Sequence, residues 1–572
     1  MASPSGAKTH ATPVQRLYAM LVLERKDVYA VALYAVAIGA TSLALPIATQ
    51  TLVNTVAFGM LLQPLVVLTA LVFLVLCFVG LLKVMQARLA EILQQRVFAR
   101  LALDLAHRLP HARENQFDGM LGPAVVNKFF DVLIVQKAGA SLLLDGLSVV
   151  LQAFVGMVLL AFYHPALLAF DIVLLAAMCV VVFGLGWGAV QTSVEESYAK
   201  HSLVEFLQEL ARNRSTFRTD AGAAMAVSRV DHMVGRYITS RRAHFRILLR
   251  QIIGSVGLQA FASAALLGMG GWLVINRQLS LGQLIASELV VTSVVAGIAK
   301  FGKHLESYYD LLAAADKLGH LQDLEPERSS GGSPSDTLGP SELELRDLSV
   351  EVAGVRALNG ASARANVGER IAIVGAHGAG KSALAECIYA LREPTTGSVL
   401  LDGVDSREVA PTAWRTRTAL VRGIEVFTGT IEENIRVGRD EVSASDVRDA
   451  LRDVGLLDVI RNLSDGMNTL LDGEGDPLTQ GQLRRLMLAR AIVGGPSLIV
   501  VDEVLDGFDE GPRADAVEAL MKRTAPWTLL VITHRSDIMW RCDRVWRVAH
   551  GTIEDVRPEM PRTFSRGGEV RE

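Results

Sequence analysis

The 572-residue chain is too long for one domain, and its length alone suggests about three or four. Hydrophobic residues make up 51% and charged residues 20%, with a mean hydropathy of +0.33, a balance that argues for a membrane protein over a soluble enzyme. A net charge of -4 and a pI near 6.3 give no basis for a nucleic-acid partner. Residues 1–27 form a polar N-terminal segment without a signal-peptide core. Apolar runs follow near 28–49, 63–85, 140–162, 165–189, 252–276 and 282–300. Each is long enough, or nearly so, to cross a bilayer that needs about 20 residues. The connection 50–62 carries no Lys or Arg, and the third and fourth runs meet at Tyr163-His-Pro165. By contrast 86–139 holds Arg88, Arg96, Arg100, Arg108, Arg113, Lys128 and Lys137, and 190–251 is similarly basic. Positive charge stays on the cytoplasmic side, so both termini and both long loops are expected in the cytoplasm of a cell whose inner (plasma) membrane holds the chain. Leu89, Ile92, Val97, Leu101 and Leu105 keep a helical period into the first loop, predicting helices that continue out of the membrane. Asp171 lies in the apolar stretch 167–175, about two turns from Pro165. An acid there is either functional or solvated and paired locally near the interface. Asp145 is nearer the cytoplasmic side. Cys77, Cys179, Cys387 and Cys542 form no CxxC pair and read as reduced or core residues.

Residues 325–342 are rich in Ser, Gly and Pro, a composition that buries no core and predicts a flexible linker. Beyond it, strand-like runs at 343–352, 370–374, 398–401, 498–501 and 528–533 alternate with helical patterns. Alternation of that kind predicts an α/β domain around a largely parallel sheet. The run Ile371-Ala-Ile-Val374 feeds Gly375-Ala376-His377-Gly378-Ala379-Gly380-Lys381-Ser382, a G-x-x-x-x-G-K-S phosphate loop. Its glycines let backbone N–H groups face the phosphates of ATP, Lys381 adds a point charge, and Ser382 offers a hydroxyl to Mg²⁺. Downstream, Leu498-Ile-Val-Val501 ends in Asp502 and Glu503. Asp502 can organise Mg²⁺ and its waters, and Glu503 sits where a base could polarise an attacking water.

Leu478-Thr479-Gln480-Gly481-Gln482 precedes a basic helical run, 483–491. Together with Thr430–Ile435 after Phe427, the Asp506–Asp509 turn and His534, this order of motifs resembles the ATP-binding cassette superfamily across the whole soluble half. The resemblance implies that Thr479, Gly481 and Gln482, at a helix N-terminus, cap the γ-phosphate held by a second subunit. It also implies that His534 contacts the γ-phosphate and holds the catalytic arrangement, with Glu503 and His534 as the catalytic residues. With its apolar runs the chain looks like an exporter half-transporter. Val126–Asp131 with Gln136-Lys137 resembles the first coupling segment of type I secretion exporters, and Glu195–Lys200 with 206–217 the region of the second. Each of these segments also fits a plain solvated helix face. Only some 27 residues precede the first run, so the N-terminal peptidase domain of that group is expected to be absent.

Three positions depart from the family pattern. Arg422 stands five residues before Phe427, where the family has a Gln that can ligate Mg²⁺. A guanidinium has no acceptor, so Arg422 could instead reach a phosphate or an acid such as Glu503. Val352 stands where an adenine-stacking aromatic is expected, and 343–358 holds no aromatic residue. Gln480 replaces the first signature glycine.

The expected fold is a multi-domain membrane protein: an all-α six-span domain (28–320), a linker (321–342), an α/β P-loop nucleotide-binding domain (343–560) and a polar tail (561–572). The expected function is ATP-driven export of an unknown substrate by a homodimer or heterodimer in the lipid bilayer. A membrane-bound ATP-binding regulator, or a weak partner in a heterodimeric transporter, is the alternative.

Overall fold

The computed structural model describes residues 12–58, 62–118, 126, 128–332, 339–508 and 510–556. Residues 1–11, Asn127, linker residues 333–338, Asp509 and residues 557–572, with the end of the expected cassette and the polar tail, lie outside the described residues. The chain divides into two compact units: Met1–Pro110 with Leu121–Leu324, and His111–Met120 with Glu325–Glu572.

The first unit is helical. Its opening helix, Pro13–Leu23, is started by a reciprocal capping box between Thr12 and Gln15, with Pro13 pre-set for the first turn. Five helical stretches are long and apolar enough to cross a membrane: Arg25–Thr55, Leu65–His111, Lys128–Tyr163, Pro165–Arg212 and Asp220–Ile275. The sixth run contributes a shorter apolar stretch among the described residues, Leu281–Thr292, within the helix Leu281–Gln322. Sequence and structure agree on why the third and fourth runs part. His164 leaves the helical region, its ring accepts the Ala166 N–H at 3.1 Å, and Pro165 opens the next helix. The 47-residue helix Leu62–Arg108 and the 56-residue helix Asp220–Ile275 span about 70 and 84 Å at 1.5 Å per residue. Both far exceed a hydrocarbon core of about 30 Å, as expected of helices that run on beyond the bilayer. Phe73, Leu74 and Leu81 are exposed on the first of them, a placement that suits lipid and not water.

The unit's interior is packed by Ala153, Leu160, Leu167 and Leu174 against Leu266, Leu273 and Val290, residues spaced to share faces across the His164 break. Asp171 is buried beside them, and neither carboxylate oxygen has a hydrogen-bond partner. Among the described residues it is therefore not paired locally, which corrects that part of the second reading above. Asp145 is exposed.

The second unit holds two main sheets. Strands β1 (Leu343–Val352), β2 (Val355–Ala365), β4 (Thr396–Leu401) and β5 (Val404–Asp405) form an antiparallel sheet in the order β2-β1-β4-β5. Strands β3 (Arg370–Gly375), β6 (Thr418–Arg422), β9 (Leu498–Asp502), β10 (Thr528–Ile532), β11 (Arg544–Ala549) and β12 (Thr552–Val556) form the other, ordered β12-β11-β3-β10-β9-β6. All neighbours in that sheet are parallel except β11 and β12. A short pair, β7 (Gly429–Thr430) with β8 (Leu470–Leu471), completes the set. The parallel sheet matches the expected α/β domain, while 343–352 and 398–401 belong to the antiparallel one. Alternation along β1 explains this: Leu343, Leu345, Leu348 and Val350 are buried, and the polar residues between them are not. Ala353 and Gly354 both take positive φ (48° and 77°), the geometry of a two-residue hairpin turn. β9 and β10, by contrast, are buried on both faces and read as continuous apolar runs.

Two sequence expectations need correction here. Linker residues Glu325–Gly332 are held, not loose. Glu327 makes a bidentate pair with Arg415 (2.7 and 2.8 Å), and Arg328 donates to the carbonyls of Ser406 and Val409 at 2.9 Å each. Gly332 bridges Val409. In the first long loop, the residues that join the cassette unit are 111–118; Lys128–Phe130, a short 3₁₀ turn, belongs to the helical unit.

Candidate functional site

Strands β3, β10, β9 and β6 lie side by side and parallel, so their carboxyl ends open on one edge, where ligands bind in open α/β sheets. Each of the four ends delivers a residue singled out from the sequence. β3 delivers the loop 375–382, β6 ends at Arg422, β9 ends at Asp502 before Glu503, and β10 leads to Thr533 and His534.

The loop turns through Gly378 (φ 77°) and Gly380 (φ 99°). At Gly380 a Cβ would lie 2.5 Å from the Ala357 carbonyl oxygen, so the close approach of two backbones adds to the positive φ in requiring glycine. Gly380 also caps the helix Lys381–Ile388 without any side-chain hydrogen bond. The first N–H groups of that helix are thus left for an anion. Ala376, His377 and Ala379 complete the loop, and Gly375 packs so tightly that a Cβ would meet the Val548 oxygen at 2.4 Å. Lys381 is buried and donates to the carbonyls of Gly375 (3.0 Å) and Ala376 (3.2 Å), with its ammonium 3.8 Å from Glu503.

Asp502 and Ser382 meet side chain to side chain. Burial pushes the Asp502 carboxyl above its ordinary range, against the Ser382 hydrogen bond and the positive charges of Arg422 and Lys381. Its Oδ1 is buried without a hydrogen-bond partner. An orphaned carboxylate oxygen beside a hydroxyl is a donor set of the hard, oxygen-only kind that suits Mg²⁺.

Glu503 takes a left-handed backbone (φ 56°), unusual for a side-chain-bearing residue and held by its N–H to the Ile532 oxygen at 3.0 Å. That turn directs Glu503 Oε1 to His534 Nε2 at 3.2 Å. The following 3₁₀ turn, Val504–Gly507, presents Asp506, whose carboxylate accepts the His534 backbone N–H at 2.9 Å and the Thr533 hydroxyl. His377 stacks on His534 with ring centroids 5.9 Å apart and planes 21° apart.

The signature residues open a different helix, Gln480–Val493. Thr479 and Gln482 cap it reciprocally: the Thr479 N–H donates to Gln482 Oε1 (2.7 Å) and the Gln482 N–H to Thr479 Oγ1 (3.4 Å). Gln480 is exposed, and Gly481 has open space where a Cβ would stand. Among the described residues, no hydrogen bond joins 479–482 to the phosphate loop.

Arg422 does not reach Glu503. Its guanidinium donates to Glu386 at 2.6 Å and to Glu114 at 3.1 Å. Neither acid was singled out from the sequence, and Asp506 entered only as the start of a turn. Glu386 could have been, since it lies five residues past Lys381 on the same helix; Glu114, 308 residues from Arg422, leaves no local signal. Val352 packs partly buried beside the hairpin turn, with no aromatic ring there.

A phosphate loop, a carboxylate–hydroxyl pair, a glutamate–histidine pair and an exposed signature helix, in a chain that also carries long apolar helices, are the features of an ABC transporter ATPase domain. Beside that domain, five helical stretches are long and apolar enough to cross a membrane. The ABC transporter family model matches residues 358–506. The mycobactin import ATP-binding/permease protein IrtB of Mycolicibacterium thermoresistibile is 28% identical over 487 residues, 82% of this chain and 81% of that protein. The α-hemolysin translocation ATP-binding protein HlyB of Escherichia coli O157:H7 is 25% identical over 402 residues, 69% of this chain but 56% of HlyB. The chain thus spans about half the length of that relative. The solved structure of a bacterial Atm1-family ABC exporter with ATP bound has the same fold, with a TM-score of 0.79 at 20% identity, covering 93% of this chain and 95% of the other.

Proposed function

We propose that this chain is one half of a dimeric, ATP-driven exporter in the inner (plasma) membrane, with both termini cytoplasmic. In this reading 28–320 forms the membrane domain and 343–560 the cassette. The observation that carries it is the convergence of Lys381, Glu503 and His534 within 4 Å contacts beside the orphaned Asp502 oxygen. Ser382 and Asp502 would hold Mg²⁺, which supplies charge neutralisation at the β- and γ-phosphate oxygens. Lys381 leaves the carbonyls of its own loop to bind phosphate. Glu503 accepts the proton of the attacking water, and His534 orients the Glu503 carboxylate. Thr479, Gly481 and Gln482 serve the nucleotide of the partner subunit, which agrees with their having no hydrogen bond to this chain's own loop among the described residues.

A second reading, a weak partner in a heterodimer or an ATP-binding regulator, is favoured by one observation. The residue at 422 is committed to two acids and offers no carbonyl to a metal. The cargo stays open: IrtB is named for mycobactin import and HlyB for α-hemolysin translocation, so likeness to them sets neither direction nor substrate. The test is Glu503→Gln in purified protein reconstituted in lipid. ATP binding should persist while hydrolysis falls by about 100-fold or more. Unchanged turnover removes Glu503 from catalysis.

A further inference from the structure

We propose that a pocket between the opening helix Pro13–Leu23 and the long helix Leu62–Arg108 holds one acyl chain of an anionic phospholipid, with the lipid phosphate on Arg25 and Lys26. The proposal goes beyond the transport reading and rests only on its membrane part. Leu17 and Leu21 of the opening helix, Leu93 and Val97 of the long helix, and Val135 of the helix Asp131–Ser141 line the pocket. Gly139 completes that last wall, and a Cβ there would meet nothing within 4 Å. A glycine in the interior of a helix is unfavourable, and here what it secures is open space. The site has the make-up of a ligand pocket, a concave apolar lining with a few polar groups at its edge.

Two further residues fix the depth of the pocket. Val28 and Ala140 line it and also begin the first and third apolar runs of the sequence, so it opens where the bilayer edge meets the helices. The long helix is held at the same level by two ion pairs, Arg96 with Asp27 at 2.5 Å and Arg100 with Glu24 at 2.6 Å. The opening helix carries an exposed apolar stripe at four-residue spacing, Val14, Tyr18 and Val22. Such a stripe suits a helix lying in the membrane interface, which makes lipid the phase next to the pocket.

Charge selects the headgroup. The two ion pairs cancel Glu24 and Asp27 against Arg100 and Arg96. Arg25 and Lys26 are exposed and make no ion pair among the described residues. They directly follow Glu24, which lines the pocket. They also open the helix Arg25–Ser42, where the helix dipole disfavours cations, so helix stability does not account for them. Two surplus cations beside an apolar pocket at the membrane edge match a phosphate diester with acyl chains attached. A zwitterionic lipid brings its own cation and loses most of that attraction.

Native mass spectrometry of the full chain tests this, with the protein released from nanodiscs holding equal amounts of phosphatidylglycerol and phosphatidylcholine with the same oleoyl chains. The unaltered chain should keep one phosphatidylglycerol, in about tenfold preference to phosphatidylcholine. Arg25→Gln combined with Lys26→Gln should remove the preference. Gly139→Leu, which fills the pocket from its open wall, should remove the retained lipid itself. Gel filtration reports whether each variant folds, and the surface charge change decides the matter if Gly139→Leu does not. Equal retention of the two lipids by the unaltered chain overturns the proposal. So does a preference that survives the charge change, or lipid kept by a folded Gly139→Leu. A chain that stays soluble without detergent and enters no nanodisc overturns the membrane reading, and the lipid site with it.

Discussion

Arg422 and Asp502 face each other in the parallel register of β6 and β9, yet the guanidinium bonds Glu386 and Glu114 while one Asp502 oxygen stays buried and unpartnered. A fixed positive charge thus stands beside the place where a divalent cation would bind, without being a ligand to it.

Arg422→Gln removes that charge and supplies a carbonyl. The Mg²⁺ concentration giving half-maximal ATPase should fall about fivefold, the equivalent of about 1 kcal/mol of relieved repulsion. Titrating Mg²⁺ at fixed ATP checks it; an unchanged or raised requirement shows that Arg422 acts elsewhere.

Acid should weaken the metal site early. Because burial raises the Asp502 pKa, its carboxyl takes up a proton at a higher pH than an ordinary aspartate. Proton and cation compete for the same oxygens, so the Mg²⁺ requirement rises as pH falls from neutral toward that raised value. Proton release on Mg²⁺ binding, measured in weak buffer, should be present below neutrality and absent in Asp502→Asn.

Adenine recognition should be recoverable at the hairpin. Val352 is half-buried and directly precedes a tight turn, so Val352→Tyr should lower the KM for ATP by about fivefold or more, in keeping with stacking worth ~1–3 kcal/mol. Comparing KM values for ATP and inorganic tripolyphosphate separates stacking from phosphate contacts, because the second should not move.

Arg392 should be costly to lose, because it pairs with both Glu386 and Asp118. Arg392→Ala strips a nearly buried cation from two carboxylates, and about 3 kcal/mol of stability should go with it. Thermal unfolding in detergent should show the drop, and Arg392→Lys should restore part of it.

Much of the site was legible because phosphate chemistry imposes local order. Gly378 and Gly380 are needed for backbone geometry, and Lys381 and Ser382 follow within two residues. Asp502 and Glu503 were readable because a buried parallel strand has to end in them to place them at the sheet edge. What stayed hidden depends on distance in sequence. No periodicity ties Glu114 to Arg422, and nothing in 343–352 announces that β1 pairs away from the parallel sheet except its alternation. The Ser- and Gly-rich stretch misled for a related reason: composition describes 325–332 as free chain, but Glu327 and Arg328 find Arg415 and two carbonyls outside the window. The alternation of Arg422 among acids could not be foreseen from its being an arginine; its partners decide its chemistry.

The pairing of Glu114 with Arg422 also bears on how the protein is made. The ribosome releases Glu114 some 308 residues before Arg422 exists. The ATPase unit therefore has its full set of contacts only when a segment of the N-terminal half joins it. Glu114 and Asp118 are made long before Arg422 and Arg392, the residues that pair with them. Membrane insertion in the wrong topology would leave the cassette short of two of its own acids, which makes completion of the enzyme a check on the helices that preceded it.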